Sequence, residues 1–423
     1  MADYQKGYSL DSTELLESLS ATDQLLIIQD LDGVCMQLVG DPLTRQIEPR
    51  YIAAAARLAG QFYVLTNGEH IGSRGVNPIV ERACATPSLA AQEGLYLPGL
   101  AAGGVQLQDR FGVVTHPGVS DAELAFLQQV PHKAAAFLRA RLSSAPYCLD
   151  SATAERLIAS TVLDNLASPT VNINAFYRHF AASNGLYRQL QNDLASFLDA
   201  LHREAIEQGL EGCFFTHYAP NSGCDSQGFE RLKPASEDNA GTTDFQFMLT
   251  GAIKEVGVLV ILNHYYFSKT GEYPLGEDFN ARQAPRDLDG LLALANENFD
   301  RALMPRIVGV GDTLSSSAAE NGAEQQRGGS DRGFLSVVQA LGESFERDNQ
   351  VVYIDSSAGE VKRPGVDVAY LQRYAQQADL QPWPGLVNIT DADDPLRLDV
   401  IFAGGYQQYV EFFCTLAERR MQR

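Results

Sequence analysis

Short apolar runs of strand length alternate with stretches of helical period at both ends of this chain, while its middle is helical over most of its length. Residues 1–24 read as a short helix leading into the apolar run that opens LLIIQDLDGV (25–34). A loop and a helix at Tyr51–Leu58 lead to a second strand, FYVLTNG (62–68), and then to a helix in NPIVERACA (77–85). Residues 90–118 read as a strand followed by a Gly-rich hairpin around Asp109-Arg110. This β-α-β opening predicts a parallel sheet covered by helices. From about Val119 to Gly212 the apolar positions recur at helical spacing, as in AELAFLQQV (122–130) and KAAAFLRARL (133–142). CFFTHYAP (213–220) and TTDFQFML (242–249) read as strands flanking a polar loop, 221–241. Beyond them come a helix in GAIKEVGVLVILN (251–263) and the strand RIVGVGDT (306–313). A polar insertion (Leu314–Gly329), a helix from Asp331, the strands VVYIDSS (351–357) and LRLDVIF (396–402), and a terminal helix complete the pattern. The expected fold is α/β, with boundaries at 1–118, 119–249 and 250–423.

Composition adds bounds. A chain of 423 residues that is 45% hydrophobic can bury a large core and is long for one domain. No apolar run has membrane-spanning length, and the polar start lacks the basic and apolar segments of a signal peptide, so a cytoplasmic protein without a membrane partner is expected. Six scattered cysteines without a CxxC pair read as reduced thiols, and Cys35 reads as a small buried hydrophobe. A net charge of -21 argues against nucleic acid as a partner. The same charge repels an anionic substrate at long range, so an enzyme acting on one would need a local cation and a lysine in its pocket.

The candidate chemistry sits at strand ends. Asp30 and Asp32 are two residues apart at the end of the first strand, beside Gly33. Carboxylates so spaced can share a crevice, one attacking an electrophile while the other moves protons, with a divalent cation holding both. Thr66 ends the second strand, Lys254 opens a helix, and Gly311-Asp312 ends the strand at 306–313. In that order, Asp-x-Asp, Thr, Lys and Gly-Asp resemble the four motifs of haloacid dehalogenase (HAD) superfamily phosphatases. The resemblance implies a HAD-like Rossmannoid core with a C2-type cap inserted at 119–249. It implies Asp30 as nucleophile, Asp32 as general acid, and Thr66, Asn67, Gly68 and Lys254 around the phosphoryl group. It also implies Mg²⁺ on Asp30, the Asp32 carbonyl and Asp312. A lysine at the solvated end of a helix is the other reading of Lys254.

The motif with Asp312 departs from the superfamily pattern, because Ser316 stands where a second acid is usual. Asp331, in GGSDRGFL after the insertion, is expected either to supply that acid to the metal or to cap the following helix. Beyond the motifs, the chain resembles the glucosylglycerol-phosphate phosphatase family in blocks such as GDPLTR, FYVLTNGEHIGSRGV, TVLDNLASPT, THYAPN, GTTDFQFML, YPLGEDFNARQAP and RGGSDRGFL. That implies hydrolysis of glucosylglycerol 3-phosphate in compatible-solute synthesis, with the glucosylglycerol-phosphate synthase as functional partner. Sucrose- or trehalose-phosphate phosphatases, and a phosphotransferase or phosphomutase, are the alternatives. Softer candidates are Glu69, His70 and Arg74, facing the sugar or organising their loop, and His217, Tyr218, Asn221, Thr242, Thr243 and Asp244 for sugar hydroxyls.

Overall fold

All five residues of Leu25–Gln29 are buried, with Leu26 and Ile28 entering one apolar layer and Leu25 and Ile27 the other. A parallel strand covered on both faces reads as a continuous apolar run, which is why this segment stands out in the sequence. The computed structural model describes residues 7–219, 221–224, 229–236, 240–318, 325–377 and 379–422. In chain order its strands are β1 (Leu25–Gln29), β2 (Phe62–Leu65), β3 (Gly99–Ala101), β4 (Gln106–Gln108), β5 (Val114–Thr115), β6 (Thr170–Asn172), β7 (Phe214–Ala219) and β8 (Asn221–Cys224). They continue with β9 (Glu230–Leu232), β10 (Asp244–Leu249), β11 (Arg306–Gly311), β12 (Ser315–Ala318), β13 (Gln325–Gly328), β14 (Gln350–Ile354) and β15 (Val400–Phe402).

Eight strands form the main sheet in the order β15-β14-β11-β1-β2-β3-β4-β5. β15 through β3 are parallel, and β4 and β5 add an antiparallel edge. The chain passes from β1 to β2 and β3 in one direction, then returns to lay β11, β14 and β15 on the other side of β1. Strand order therefore reverses between β1 and β11, and the crevice at such a switch point lies beyond the carboxyl ends of the strands. Helices Thr13–Ala21, Pro49–Arg57, Val76–Ala83 and Gly405–Met421 share one apolar layer, and Lys254–Thr270, Leu288–Asn298 and Arg332–Phe345 share the other. The expected α/β class with a largely parallel sheet is what the chain adopts.

The chain divides into two compact units, one of residues 1–70, 76–118 and 253–423, the other of 71–75 and 119–252. In the second, β6, β10 and β7 make an antiparallel sheet. The stretches 122–130 and 133–142 prove to be one helix, Asp121–Leu142, which runs through Pro131 and starts with a Ser120–Glu123 capping box. β6 lay unread in the sequence, and the polar loop 221–241 contributes the paired strands β8 and β9. The polar insertion after Asp312 likewise pairs β12 with β13, pinned where Arg327 donates to both carboxylate oxygens of Asp391. Among the described residues no helix is long and apolar enough to cross a membrane, and Cys35, Cys84, Cys148, Cys213 and Cys414 are free thiols.

Candidate active site

Beyond β1 the chain turns where the Val34 and Cys35 N–H groups donate to the Leu31 carbonyl, and the backbone ahead of that turn is held from within the core. The Gln29 amide donates to the Asp30 carbonyl at 3.0 Å, and the Tyr409 hydroxyl donates to the Gln29 side chain at 2.8 Å. Asp30 N–H donates to the Val310 carbonyl, carrying the β1–β11 pairing to the strand end. Asp30 and Asp312 thus leave adjacent parallel strands at the switch point, both more than nine-tenths buried.

Lys254 and Asp331 complete the cluster. The Lys254 ammonium lies 2.8 Å from Asp331 Oδ1 and 3.2 Å from Asp30 Oδ2. A cation in the first turn of a helix opposes the macrodipole, so the site rather than the helix explains this lysine, and its burial excludes the solvated helix-end reading. Burial works against the charged form, but Asp30 and Asp331 outweigh it and raise the Lys254 pKa. Asp331 occupies the N-cap position of Arg332–Phe345, yet its side chain makes no capping bond. Its Oδ2 instead accepts the N–H groups of Asp312 and Thr313, each at 3.0 Å. The helix-cap reading of its carboxylate is therefore corrected: Asp331 ties the Gly-Asp turn to Lys254 across the inserted hairpin.

Burial pushes the Asp30 carboxyl up to about 7, with Asp331 and Asp32 adding to the rise and Lys254 opposing it. Asp312 is pushed up to about 8, first by burial and then by Asp331 and Asp30. Two of the three carboxylates, Asp30 and Asp331, pair with the one ammonium, so acids outnumber cations in the cluster and burial makes their charge costly. Asp30 Oδ1 and Asp312 Oδ2 are buried with no hydrogen-bond partner among the described residues; the Ser356 hydroxyl stands nearby but its geometry makes no bond. One oxygen from each of Asp30, Asp312 and Asp331 lies within 4.8 Å of the others. Two orphaned oxygens in an acidic, oxygen-only donor set fit a hard divalent cation.

Glycine keeps this space open. A Cβ at Gly33 would lie 2.2 Å from Asp312 Oδ2, and the residue has φ +81. One at Gly311 would lie 2.7 Å from the Asp331 Cβ. Gly33→Ala is expected to lower turnover at least about tenfold by displacing Asp312, while left-handed strain costs about 1–2 kcal/mol of stability. Paired kinetic and denaturant measurements check this; unchanged turnover would show that Asp312 needs no fixed position.

Thr66 follows β2 directly and is buried, with its hydroxyl accepting the Gly68 N–H at 3.3 Å. Asn67 is exposed on the same turn, and the Gly68 carbonyl accepts the Ala102 N–H at 2.6 Å. Of the two roles open to His70, its burial selects loop organisation: Nε2 meets the Gly99 carbonyl at 3.1 Å, and its N–H donates to Gln106. Glu69 is buried beside the Gln106 amide, at 3.4 Å, in the same loop support. Asp32 is half-buried and paired with Arg45 at 2.9 Å.

The remaining candidates lie in the second unit. Register pairs Asp244 with Asn172 and Ala219, and Gln246 with Thr170 and His217, which places these residues on one face of the sheet. There Asn172 donates to Asp244 at 2.8 Å, Thr243 donates to the other Asp244 oxygen at 2.8 Å, and His217 meets Glu230 at 2.8 Å. Asn221 also bonds Glu230. Tyr218 is corrected: as the neighbour of His217 in a strand it faces the opposite side, its ring packed on Phe245. Thr242 is fully buried and accepts the Lys233 N–H. Arg74 is half-buried in the 71–75 segment. Arg45, Gln29, Tyr409, Asn172, Gln246 and Glu230 were not singled out from sequence. Only Gln29 had a signal there, as a polar residue inside an apolar run.

Comparison with known proteins gives this site its class. The family described as glucosylglycerol-phosphate phosphatase matches residues 24–417. A glucosylglycerol-phosphate phosphatase from Synechocystis sp. is 49% identical over 417 residues, 99% of this chain and 98% of that protein. A solved trehalose-6-phosphate phosphatase from Aspergillus fumigatus is 8% identical with a TM-score of 0.39, covering 98% of this chain and 100% of its own. The C-terminal domain of the C. albicans enzyme is 9% identical with a TM-score of 0.45, covering 98% and 99%. The chain is a phosphatase, a phosphoric monoester hydrolase built on an α/β sheet. It belongs to the glucosylglycerol-phosphate phosphatase family.

Proposed function

We propose that this enzyme hydrolyses glucosylglycerol 3-phosphate to glucosylglycerol and phosphate, through an aspartyl-phosphate on Asp30, as a HAD-superfamily phosphatase in compatible-solute synthesis. The observation that carries the substrate is the identity of 49% across 99% of the chain, which includes both units. The chemistry is supported by Asp30 at a switch point, 3.2 Å from Lys254 and with one oxygen unpartnered among the described residues.

In this reading Asp30 bonds to phosphorus as the ester oxygen leaves, and Asp32 gives that oxygen its proton. Water then displaces Asp30 from phosphorus and returns a proton to Asp32. Lys254 holds the phosphoryl oxygens by charge, with Thr66 and the backbone of Asn67 and Gly68 donating to them. Mg²⁺ is the proposed cofactor, held by Asp30, Asp312 and the Asp32 carbonyl, with Asp331 behind them. Bound there it would offset the carboxylates facing a dianionic ester and polarise the phosphoryl group. Residues 119–252 act as the C2-type cap, and the Asn172, His217, Asp244 and Gln246 face recognises sugar hydroxyls. The upstream partner is the synthase that makes the phosphate ester.

Phosphate release from glucosylglycerol, sucrose, trehalose and hexose phosphates tests the reading. The first should lead in kcat/KM by about tenfold or more, the scale of one or two hydrogen-bond differences. Chelation should abolish turnover and Mg²⁺ restore it, with saturable Mg²⁺ binding to the substrate-free protein seen by calorimetry. Preference for sucrose or trehalose phosphate would overturn the substrate, and full activity without metal would overturn the cofactor.

A further inference from the structure

We infer that Arg45 is the positioning residue of the acid–base carboxylate Asp32, an inference that rests on the reading of Asp32 given above. Arg45 Nη1 donates to Asp32 Oδ2 at 2.9 Å, and its side chain is only 7% exposed against 32% for Asp32. The pair is therefore anchored from the protein side, with the cation buried and the carboxylate open to solvent.

The turn that presents Arg45 is braced at each residue. Asp41 Oδ1 accepts the Leu43 N–H at 2.9 Å, and Thr44 Oγ1 donates to the Asp41 carbonyl at 2.8 Å. Arg45 Nε donates to the Pro42 carbonyl at 3.0 Å, and the Arg45 carbonyl accepts from Arg82 at 3.2 Å. The bonds made by Asp41 hold the turn's backbone and the Nε–Pro42 bond fixes the guanidinium to it, while Asp32 is the charged partner that offsets the desolvation of a buried guanidinium. A planar fork fixed at Nε and aimed through Nη1 sets both position and orientation of a carboxylate, which a lysine cannot do.

Held by Oδ2, Asp32 keeps Oδ1 for proton exchange. Its proton passes to the departing oxygen as the phosphorus–oxygen bond breaks and the Asp30–phosphorus bond forms. Water's proton comes back to Asp32 as the water oxygen bonds to phosphorus and Asp30 is freed. A misaimed Asp32 slows the first step only where the leaving oxygen needs that proton. A sugar alcohol needs it; nitrophenolate departs without it.

The test compares kcat/KM, which reports the first irreversible step, for glucosylglycerol phosphate and p-nitrophenyl phosphate. Arg45→Met should lose about a hundredfold on the sugar ester, at least about tenfold more than it loses on the nitrophenyl ester. Arg45→Lys, which keeps the charge without the fork, should regain part of the loss and guards against a fold defect in the Met variant. In an Asp32→Asn background, Arg45→Met should cost no further loss on the sugar ester, since coupled residues are not additive. Equal losses on both esters, or additive losses in the double variant, would overturn the positioning role and leave Asp32 as the acid. Asp32→Asn that loses equally on both esters would instead overturn the acid–base reading, and the Arg45 inference with it.

Discussion

Asp30→Asn is expected to lower turnover on any phosphate ester by at least about a thousandfold, roughly 4 kcal/mol of transition-state stabilisation. The amide keeps the shape of the side chain but has no lone pair basic enough to form the bond to phosphorus. Lys254 still has Asp331 at 2.8 Å, so its position in the pocket survives. Stability should hold or rise. Burial and the neighbouring acids push Asp30 up to about 7, which means that the fold disfavours its charge, and removing that charge relieves repulsion with Asp331 and Asp32. A phosphate-release assay beside a thermal melt measures both. Near-parent turnover would remove Asp30 as nucleophile, and a large fall in melting temperature would show that its charge serves the fold.

The motif residues are legible because buried parallel strands carry no polar alternation, so Thr66 and Asp312 appear as the first polar residues after apolar runs and Asp30 as the first charged one. Polar strands gave no such contrast. β8, β9, β12 and β13 are made of residues such as Asn221, Glu230, Ser316 and Gln326, and they read as loop or insertion. Tyr218 was grouped with His217 because adjacency in sequence looks like adjacency in space, which a strand reverses. Arg45 was invisible for the opposite reason: it is 13 residues from Asp32, and only the turn after Asp41 brings them together.

Asp331 shows most sharply how sequence proximity misleads, because Ser-Asp before a helix looks like a cap while the carboxylate serves residues 18 and more positions away. A cap would tolerate Asp331→Asn, since Asn caps about as well as Asp. The geometry predicts the reverse. Oδ1 holds the Lys254 ammonium and Oδ2 holds two N–H groups, in a residue with no solvent exposure. An amide has one acceptor oxygen, so Asn must abandon either the lysine or the turn, and its NH₂ group then meets a donor. Asp331→Ala abandons both. Breaking a buried pair of this kind costs about 3–5 kcal/mol, and the Asn variant should lose about 1.5–3 kcal/mol, the worth of a charged hydrogen bond. Turnover should fall at least about a hundredfold in both, because Lys254 and Asp312 lose their common anchor. Excess Mg²⁺ should not restore it, since three of the carboxylate's roughly four acceptor sites already serve protein donors. Denaturant melts and a metal titration of Asp331→Asn decide between the roles: a mild variant with the parent's metal response would return Asp331 to the helix, and rescue by metal would make it a direct ligand.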